Sequence, residues 1–327
     1  MIPKLKNERK GTLMKERVRG IFTKEWLEVH GNDVFAYSGL VLCILVFSIL
    51  PPILRGINIL DPAGLAFKSI VKDGVMYSIL AAGAVFVYSL GAMDISVGAQ
   101  ISMYAILLIH TYNVGGSSIG ALVGCVALIF VIAMVCGITN SVIANVLEMK
   151  PIITSLILQF LIYGIASVVI NIWNPASVAI TFDIGTVAMT HFAPLGNVWV
   201  QVGIMVGCLL LFTVLFNYTK IGHYVKAIGA NQDCARQMGI SLVKYRMLAY
   251  MIFGVAIVVA SLLFVANTGT TTSNGGKGYE MKIMISLIIG GMPLSGGMKS
   301  KISSAMIGGF TYALITRSFI YIGVPDK

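Results

Sequence analysis

The sequence predicts an all-α polytopic membrane protein, and three observations carry that fold class. Of its residues 57% are hydrophobic and only 11% charged, with a mean hydropathy of +0.89, whereas a soluble chain carries about a quarter charged residues. Apolar runs of about 20 residues recur, the length needed to cross roughly 30 Å of hydrocarbon. The runs are continuous rather than alternating, so they form helices and not the strands of a barrel.

The elements follow in order. Residues 1–35 hold eight Lys/Arg, from Lys4 to Lys24, ahead of the first apolar run. They form a cytoplasmic N-terminal segment rather than a cleavable signal. Residues 36–327 form the transmembrane domain. Spans are expected at 36–54, 70–90, 96–112, 119–147, 152–172, 199–216 and 247–266, followed by a short one at 283–293 and a last one at 303–322. The 217–246 loop holds five Lys/Arg, while the loops at 113–118 and 173–198 hold none. The positive-inside rule therefore puts the N-terminus and the 217–246 loop in the cytoplasm, and the even number of spans between them agrees. Arg55, Lys68, Lys72 and Lys277 fall outside as exceptions. The net charge of +10 follows from this cytoplasmic bias and from contact with anionic membrane lipid, with no nucleic-acid motif to suggest another partner.

The stretch Tyr224–Tyr245 is a polar island between apolar runs. It carries Lys226, Arg236 and Lys244, with Arg246 directly after, against one acid, Asp233. Gly229 and Gly239 bracket a helix-forming stretch, Asn231–Met238, in which Asn231 can cap the start and Gly239 stop the end. So short a helix is marginal alone and gains order on a partner, with Ala230, Ala235 and Met238 available for contact. A plain solvated loop is the simpler alternative.

Gly91-Ala-Met-Asp-Ile-Ser-Val-Gly98 echoes Gly290-Gly-Met-Pro-Leu-Ser-Gly-Gly297, both too glycine-rich for a helix interior. Paired breaks of this kind mark discontinuous helices near a substrate path, although two unrelated turns would look the same. The island's pattern A-I-G-A-N-x-x-x-A-R-x-x-G-I resembles the coupling loop of bacterial ABC importer permeases of the ribose/galactose type. The two glycine-rich stretches, Asn140-Ser-Val-Ile-Ala-Asn, Lys150-Pro-Ile-Ile-Thr-Ser-Leu and Gly278-Tyr279-Glu280 resemble further motifs of that family, in register over residues 36–325.

The resemblance implies ten membrane helices with discontinuous ones among them, and a cytoplasmic coupling helix that docks on a separate ABC ATPase subunit. It implies a homodimer, or a heterodimer with a second permease, and an extracytoplasmic substrate-binding protein that sets specificity. The imported solute would be a monosaccharide. The coupling residues it points to are Ala227, Ile228, Gly229, Asn231, Ala235, Arg236 and Gly239. The chain departs from the family at Ala92 and Pro293, and at Ile322–Lys327, where a final helix is expected. Nine spans would leave Lys327 outside and the chain truncated. The face Phe310, Leu314, Arg317, Tyr321 would then lack its tenth-helix partner, with Arg317 snorkelling to the interface.

Candidate path residues are Asp94, Ser96, Asn140, Thr154 and Ser295. Asp94 stands out as the ionisable group closely flanked by apolar segments, and a charge at the bilayer centre costs about 3 kcal/mol or more. It either caps the next helix or lines the path. Asn140, Asn145, Thr154, Ser155 and Gln159 serve as helix–helix hydrogen-bonding groups or as solute contacts. The five cysteines and four histidines are dispersed, so neither a metal site nor a disulfide is expected. No Walker A, HExxH or GxSxG pattern occurs, so the chain is not an enzyme and binds no cofactor. An ion- or proton-coupled carrier or channel is the alternative class, but it would be expected to carry more intramembrane acids or bases.

Overall fold

The computed structural model describes residues 24–56, 58, 60–62, 64–115, 118–147, 149–175, 179–181, 192–293 and 295–323. The chain forms α1 (Lys24–Arg55), α2 (Leu65–Ser89), α3 (Val97–Val114), α4 (Ile119–Val146) and α5 (Pro151–Trp173). A short strand β1 (Ala179–Thr181) and a 3-10 turn lead into α6 (Val198–Tyr218), α7 (Lys220–Ala230), α8 (Gln232–Gln237) and α9 (Leu242–Thr268). Strand β2 (Thr270–Thr272), α10 (Tyr279–Ile289) and α11 (Ser303–Ile322) complete it. The expected spans coincide with helices throughout, and α1 begins at Lys24, ahead of the border expected at residue 36.

Among the described residues seven helices are long and apolar enough to cross a membrane, all except α3 and α10 of the nine expected spans. The reason lies in their composition and length. Gln100, His110, Thr111 and Asn113 dilute the 18-residue α3, and α10 has only 11 residues, about 16 Å of helix against roughly 30 Å of hydrocarbon. α10 is thus a half-helix, entered from a loop and left by a glycine-rich break.

α2 is the centre of the bundle: every residue from Gly74 to Ser89 is buried. α11, α9, α6 and α10 surround it. Lipid tails are as apolar as leucine, so close packing of small residues holds such helices together. A Cβ on Gly74 would lie 2.7 Å from the Phe310 ring, and one on Gly309 2.5 Å from Ser78 Oγ. By contrast α1, α4 and α5 present exposed apolar faces, such as Phe35, Ile53, Val131 and Phe160, as lipid-facing helices do.

The face of α11 expected to await a tenth helix is already covered. Phe310 packs on Gly74, and Leu314 joins Phe47, Ala66 and Ile70 of α1 and α2 with Tyr321 at its edge. Arg317 does not snorkel. Its Nε donates to Asp73 Oδ2 at 2.5 Å and its Nη2 to Asp73 Oδ1 at 3.0 Å. Asp73, inside α2, and Glu280, at the start of α10, are therefore further acids among the apolar helices besides Asp94. Residues 324–327 lie outside the described residues.

β1 and β2 pair antiparallel, Ala179 opposite Thr272 and Thr181 opposite Thr270. This ties the segment after α5 to the end of α9 on the side opposite α7 and α8. The positive-inside expectation for the 217–246 loop would make that side the outer one.

Candidate functional site

Two helix breaks and the short helices α7 and α8 meet at one place. α2 stops at Gly91, whose φ of 70° allows Ala92 N–H to reach back to the Val87 carbonyl. α10 stops in the same way at Gly291, with a φ of 83° and Met292 N–H donating to the Leu287 carbonyl. Both are left-handed C-terminal caps, conformations that glycine adopts without a Cβ penalty. The echoed segments are thus structural counterparts, but shifted by one residue: Gly91 corresponds to Gly291, not to Gly290.

The two breaks touch. Gly297 N–H donates to the Ser89 carbonyl at 2.9 Å. Against both lies the last turn of α7. A Cβ on Gly229 would overlap the Ser89 carbonyl oxygen and come within 3.0 Å of Gly297 N. Gly229 is therefore not a bracket outside a helix, as its position in the polar island suggested. It sits within α7, and glycine is required because two backbones pass at contact distance.

Beyond Gly229 the chain turns at Asn231, whose Oδ1 accepts from Cys234 N–H at 2.9 Å and caps α8. Gly239, with φ 78°, ends that turn. Ala230, Gln232, Asp233, Arg236 and Met238 are exposed on α8 and its flanks. Ile228 and Ala235 are buried, at 1% and 0% exposure, and hold the element to the bundle. Ala235 is consequently not available to a partner, because its face of α8 turns inward; Ala227 is half-buried. Beside α8 a cleft of about 720 Å³ opens toward the α4–α5 turn, lined by Lys150, Arg236 and Arg246 among others, with no acid among the described residues that line it. Arg246 donates to Asn145 Oδ1, linking α9 to α4.

Inside the break that follows α2, Asp94 is 5% exposed. Its Oδ1 accepts from Ser96 N–H at 2.9 Å and Ser96 Oγ–H at 2.6 Å. The N-cap of α3 is Ser96 and not Asp94, and Ser96 makes no side-chain cap bond. Asp94 instead closes a turn two residues long, the local hydrogen bond that short acids form with following N–H groups. From Ser96 a polar chain climbs one face of α3. Gln100 Nε2 donates to Ser96 Oγ at 2.8 Å, and Tyr104 OH to Gln100 Oε1 at 2.9 Å. The i, i+4, i+8 spacing of 96, 100 and 104 puts the three on one stripe. Gln100 and Tyr104 went unnoticed in the sequence, although that spacing within an apolar helix was the available signal.

α4 and α5 close the other side. Thr154 Oγ1 donates to Asn140 Oδ1 at 2.7 Å, and Ile95 N–H to Ser155 Oγ at 3.2 Å. The Asn140 side chain approaches the Asp94 carboxylate, and its Nδ2 has no full hydrogen bond to the protein. The structure thus brings Asp94, Ser96, Asn140 and Thr154 together. It does not bring Ser295 to them: that residue is exposed in the second break. One turn further along α3, a Cβ on Gly98 would lie 2.6 Å from Glu280 Oε2 and 3.0 Å from Tyr163 OH. The start of the half-helix α10 therefore abuts α3 on the side away from the 96, 100 and 104 stripe, where Gly276 N–H also donates to Ser102 Oγ at 2.8 Å.

The family described as branched-chain amino acid transport system / permease component matches residues 67–326. The ribose import permease protein of Escherichia coli strain K12 is 26% identical over 319 residues, covering 94% of this chain and 91% of that relative. The galactose/methyl galactoside import permease protein of Salmonella typhimurium strain LT2 is 25% identical over 314 residues, 91% of this chain and 88% of the relative. The fructose import permease protein FruF of Bifidobacterium longum is 24% identical over 268 residues, 78% and 70% of the two chains. No solved structure matches. With the match spanning most of the chain and every membrane helix from α2 onward, this protein belongs to the permease-component family of the branched-chain amino acid transport system type.

Proposed function

We propose that this permease is the multi-pass inner-membrane subunit of an ATP-driven importer that carries a monosaccharide. The family description names amino acids, but the relatives that span most of the chain are named for ribose, galactose and fructose, which supports a sugar as the solute. Two copies, or one copy with a second permease, flank the path. An extracytoplasmic binding protein delivers the solute, and an ABC ATPase grips α8 through Arg236, Met238 and the adjoining basic cleft.

The observation that carries this reading is the three-way contact of Gly229, Ser89 and Gly297. A push on α8 reaches the two helix breaks through one backbone contact, with no flexible side chain between. Asp94, Ser96, Asn140 and Thr154 stand just past the first break, where a solute leaving toward the cytoplasm meets hydroxyls, an amide and a carboxylate. The polar column gives weak, sequential contacts, and the binding protein supplies the selectivity.

The test is reconstitution with the ATPase and binding protein in proteoliposomes, followed by uptake of labelled ribose, galactose, fructose and leucine. ATP-dependent uptake of a sugar and not of leucine is expected, and Arg236→Glu abolishes it while the protein still inserts. Uptake of leucine alone overturns the sugar reading. Uptake driven by an ion gradient without ATP favours the carrier class instead.

A further inference from the structure

A second cleft, of about 480 Å³, lies on the cytoplasmic half of the bundle between the end of α6 and the start of α11. Its wall has two parts. One is apolar and lies within the membrane helices: Leu209 on α6 and Met306 on α11, the latter 47% exposed. The other is cationic and polar: Lys226 from α7, Lys301, Ser300 and Ser303. α11 begins at Ser303, and no side chain caps its first turn, so its free N–H groups offer a partial positive charge at the cleft.

A second observation points to a ligand. Ser300 is 1% exposed, yet its Oγ has no hydrogen-bond partner among the described residues. A buried unpaired hydroxyl costs about 1–3 kcal/mol, so a polar group arriving in the cleft would recover it. Lys226 is also in a costly position. Its Nζ lies 4.1 Å from the Phe216 ring centre and donates only a long bond, 3.4 Å, to Asn217 Oδ1. Partial burial holds its pKa below the usual lysine value, as expected for a cation short of water and of a counter-ion.

We infer that this cleft is a binding site for an anionic phospholipid of the cytoplasmic leaflet. The lipid phosphate lies between Lys226, Lys301, Ser300 and the start of α11, and its acyl chains run along Leu209 and Met306. A lipid rather than a soluble anion is indicated because half of the wall belongs to membrane-spanning helices, beside the exposed Val206 and Leu210 of α6. The cytoplasmic leaflet is also where anionic lipids concentrate.

The test is native mass spectrometry of the full chain in neutral detergent, titrated with dioleoyl phosphatidylglycerol or dioleoyl phosphatidylcholine. Wild type is expected to retain phosphatidylglycerol preferentially. Lys226→Ala with Lys301→Ala lowers its affinity roughly thirtyfold, each lysine near a membrane surface contributing about fivefold. Ser300→Ala lowers it about fivefold, the effect of one hydrogen bond. Lys68→Ala with Lys72→Ala, at the outer end of α2, leaves it unchanged. Should the double alanine variant fold poorly, Lys301→Glu alone, at an exposed position, gives the same direction. Equal retention of the two lipids, or an equal loss from the outer-lysine variant, overturns the site. Displacement by millimolar inorganic phosphate shows a soluble-anion site and overturns the lipid assignment.

Discussion

The two ends of α2 handle charge in opposite ways. Near one end Asp73 meets Arg317 of α11 in a two-pronged ion pair, with Tyr77 and Tyr279 close to both. Past its inner end Asp94 is more deeply buried, and no ion pair among the described residues holds it; its partners are Ser96, reached through N–H and Oγ–H, and the nearby Asn140. The outer end is a staple, in which a bidentate guanidinium–carboxylate pair fixes distance and angle together. The inner end is a joint: two glycine-capped helix stops, a glycine contact and a carboxylate held by hydrogen bonds alone. A carboxyl group held by hydroxyl and amide hydrogen bonds can exchange those partners, whereas a bidentate ion pair resists exchange. With the orientation expected from the positive-inside rule, this difference would put the fixed point of α2 outside and its jointed end inside, beside the element proposed to meet the ATPase.

The comparison breaks most readily at Gly229. Gly229→Ala places a methyl where the Ser89 carbonyl stands, an overpacking cost of about 1–3 kcal/mol, and coupled uptake in proteoliposomes is expected to fall to background. Normal uptake by that variant would show that the inner end is not a joint. Asp94→Leu comes next. It strands the Ser96 N–H and hydroxyl, a loss of about 2–4 kcal/mol, whereas Asp94→Asn keeps the accepting oxygen and retains uptake within a few-fold. Thermal unfolding in detergent together with uptake separates the two variants, and identical behaviour would deny the carboxylate any role.

Arg317→Gln tests the staple. It leaves Asp73 without its ion pair at a partly exposed site, so about 1–3 kcal/mol of stability is lost, less than for a fully buried pair. Asp73→Asn in the same chain should recover part of that loss, and a double-mutant cycle measures the coupling. A zero coupling energy would make the two ends of α2 alike. The smallest effect is Asn231→Ala, which removes the cap of α8 for about 1 kcal/mol and slows uptake without abolishing it.

The membrane helices were legible because hydrocarbon imposes a length, and seven of the nine expected runs are helices long and apolar enough to meet it. α10 was legible only as a short span, since nothing in its composition says that it starts inside the bundle. Asn231 and Gly239 were legible as cap and stop because those roles are local. Asp73 and Arg317 were not legible as a pair: their positions in sequence are 244 apart, and no local pattern links them. Ala235 was misread for a related reason. A short polar helix does not announce which of its faces turns inward until the rest of the bundle is in place. Gly229 carried its own signal, a glycine within an amphipathic turn, but a close backbone approach and a helix break look the same in one dimension.

The Asp73–Arg317 pair also sets a timetable for biogenesis. Asp73 emerges from the ribosome with α2, and Arg317 follows 244 positions later. At about 5–20 residues per second that interval is roughly 12–50 s. Throughout it, α2 carries an acid with no cation to answer it. The helix that ends as the axis of the bundle is thus made before the guanidinium that pairs with its acid, and the contact that fixes it to α11 forms only when the last helix arrives. A nascent chain stopped anywhere before α11 would present that unanswered acid to membrane quality-control proteases.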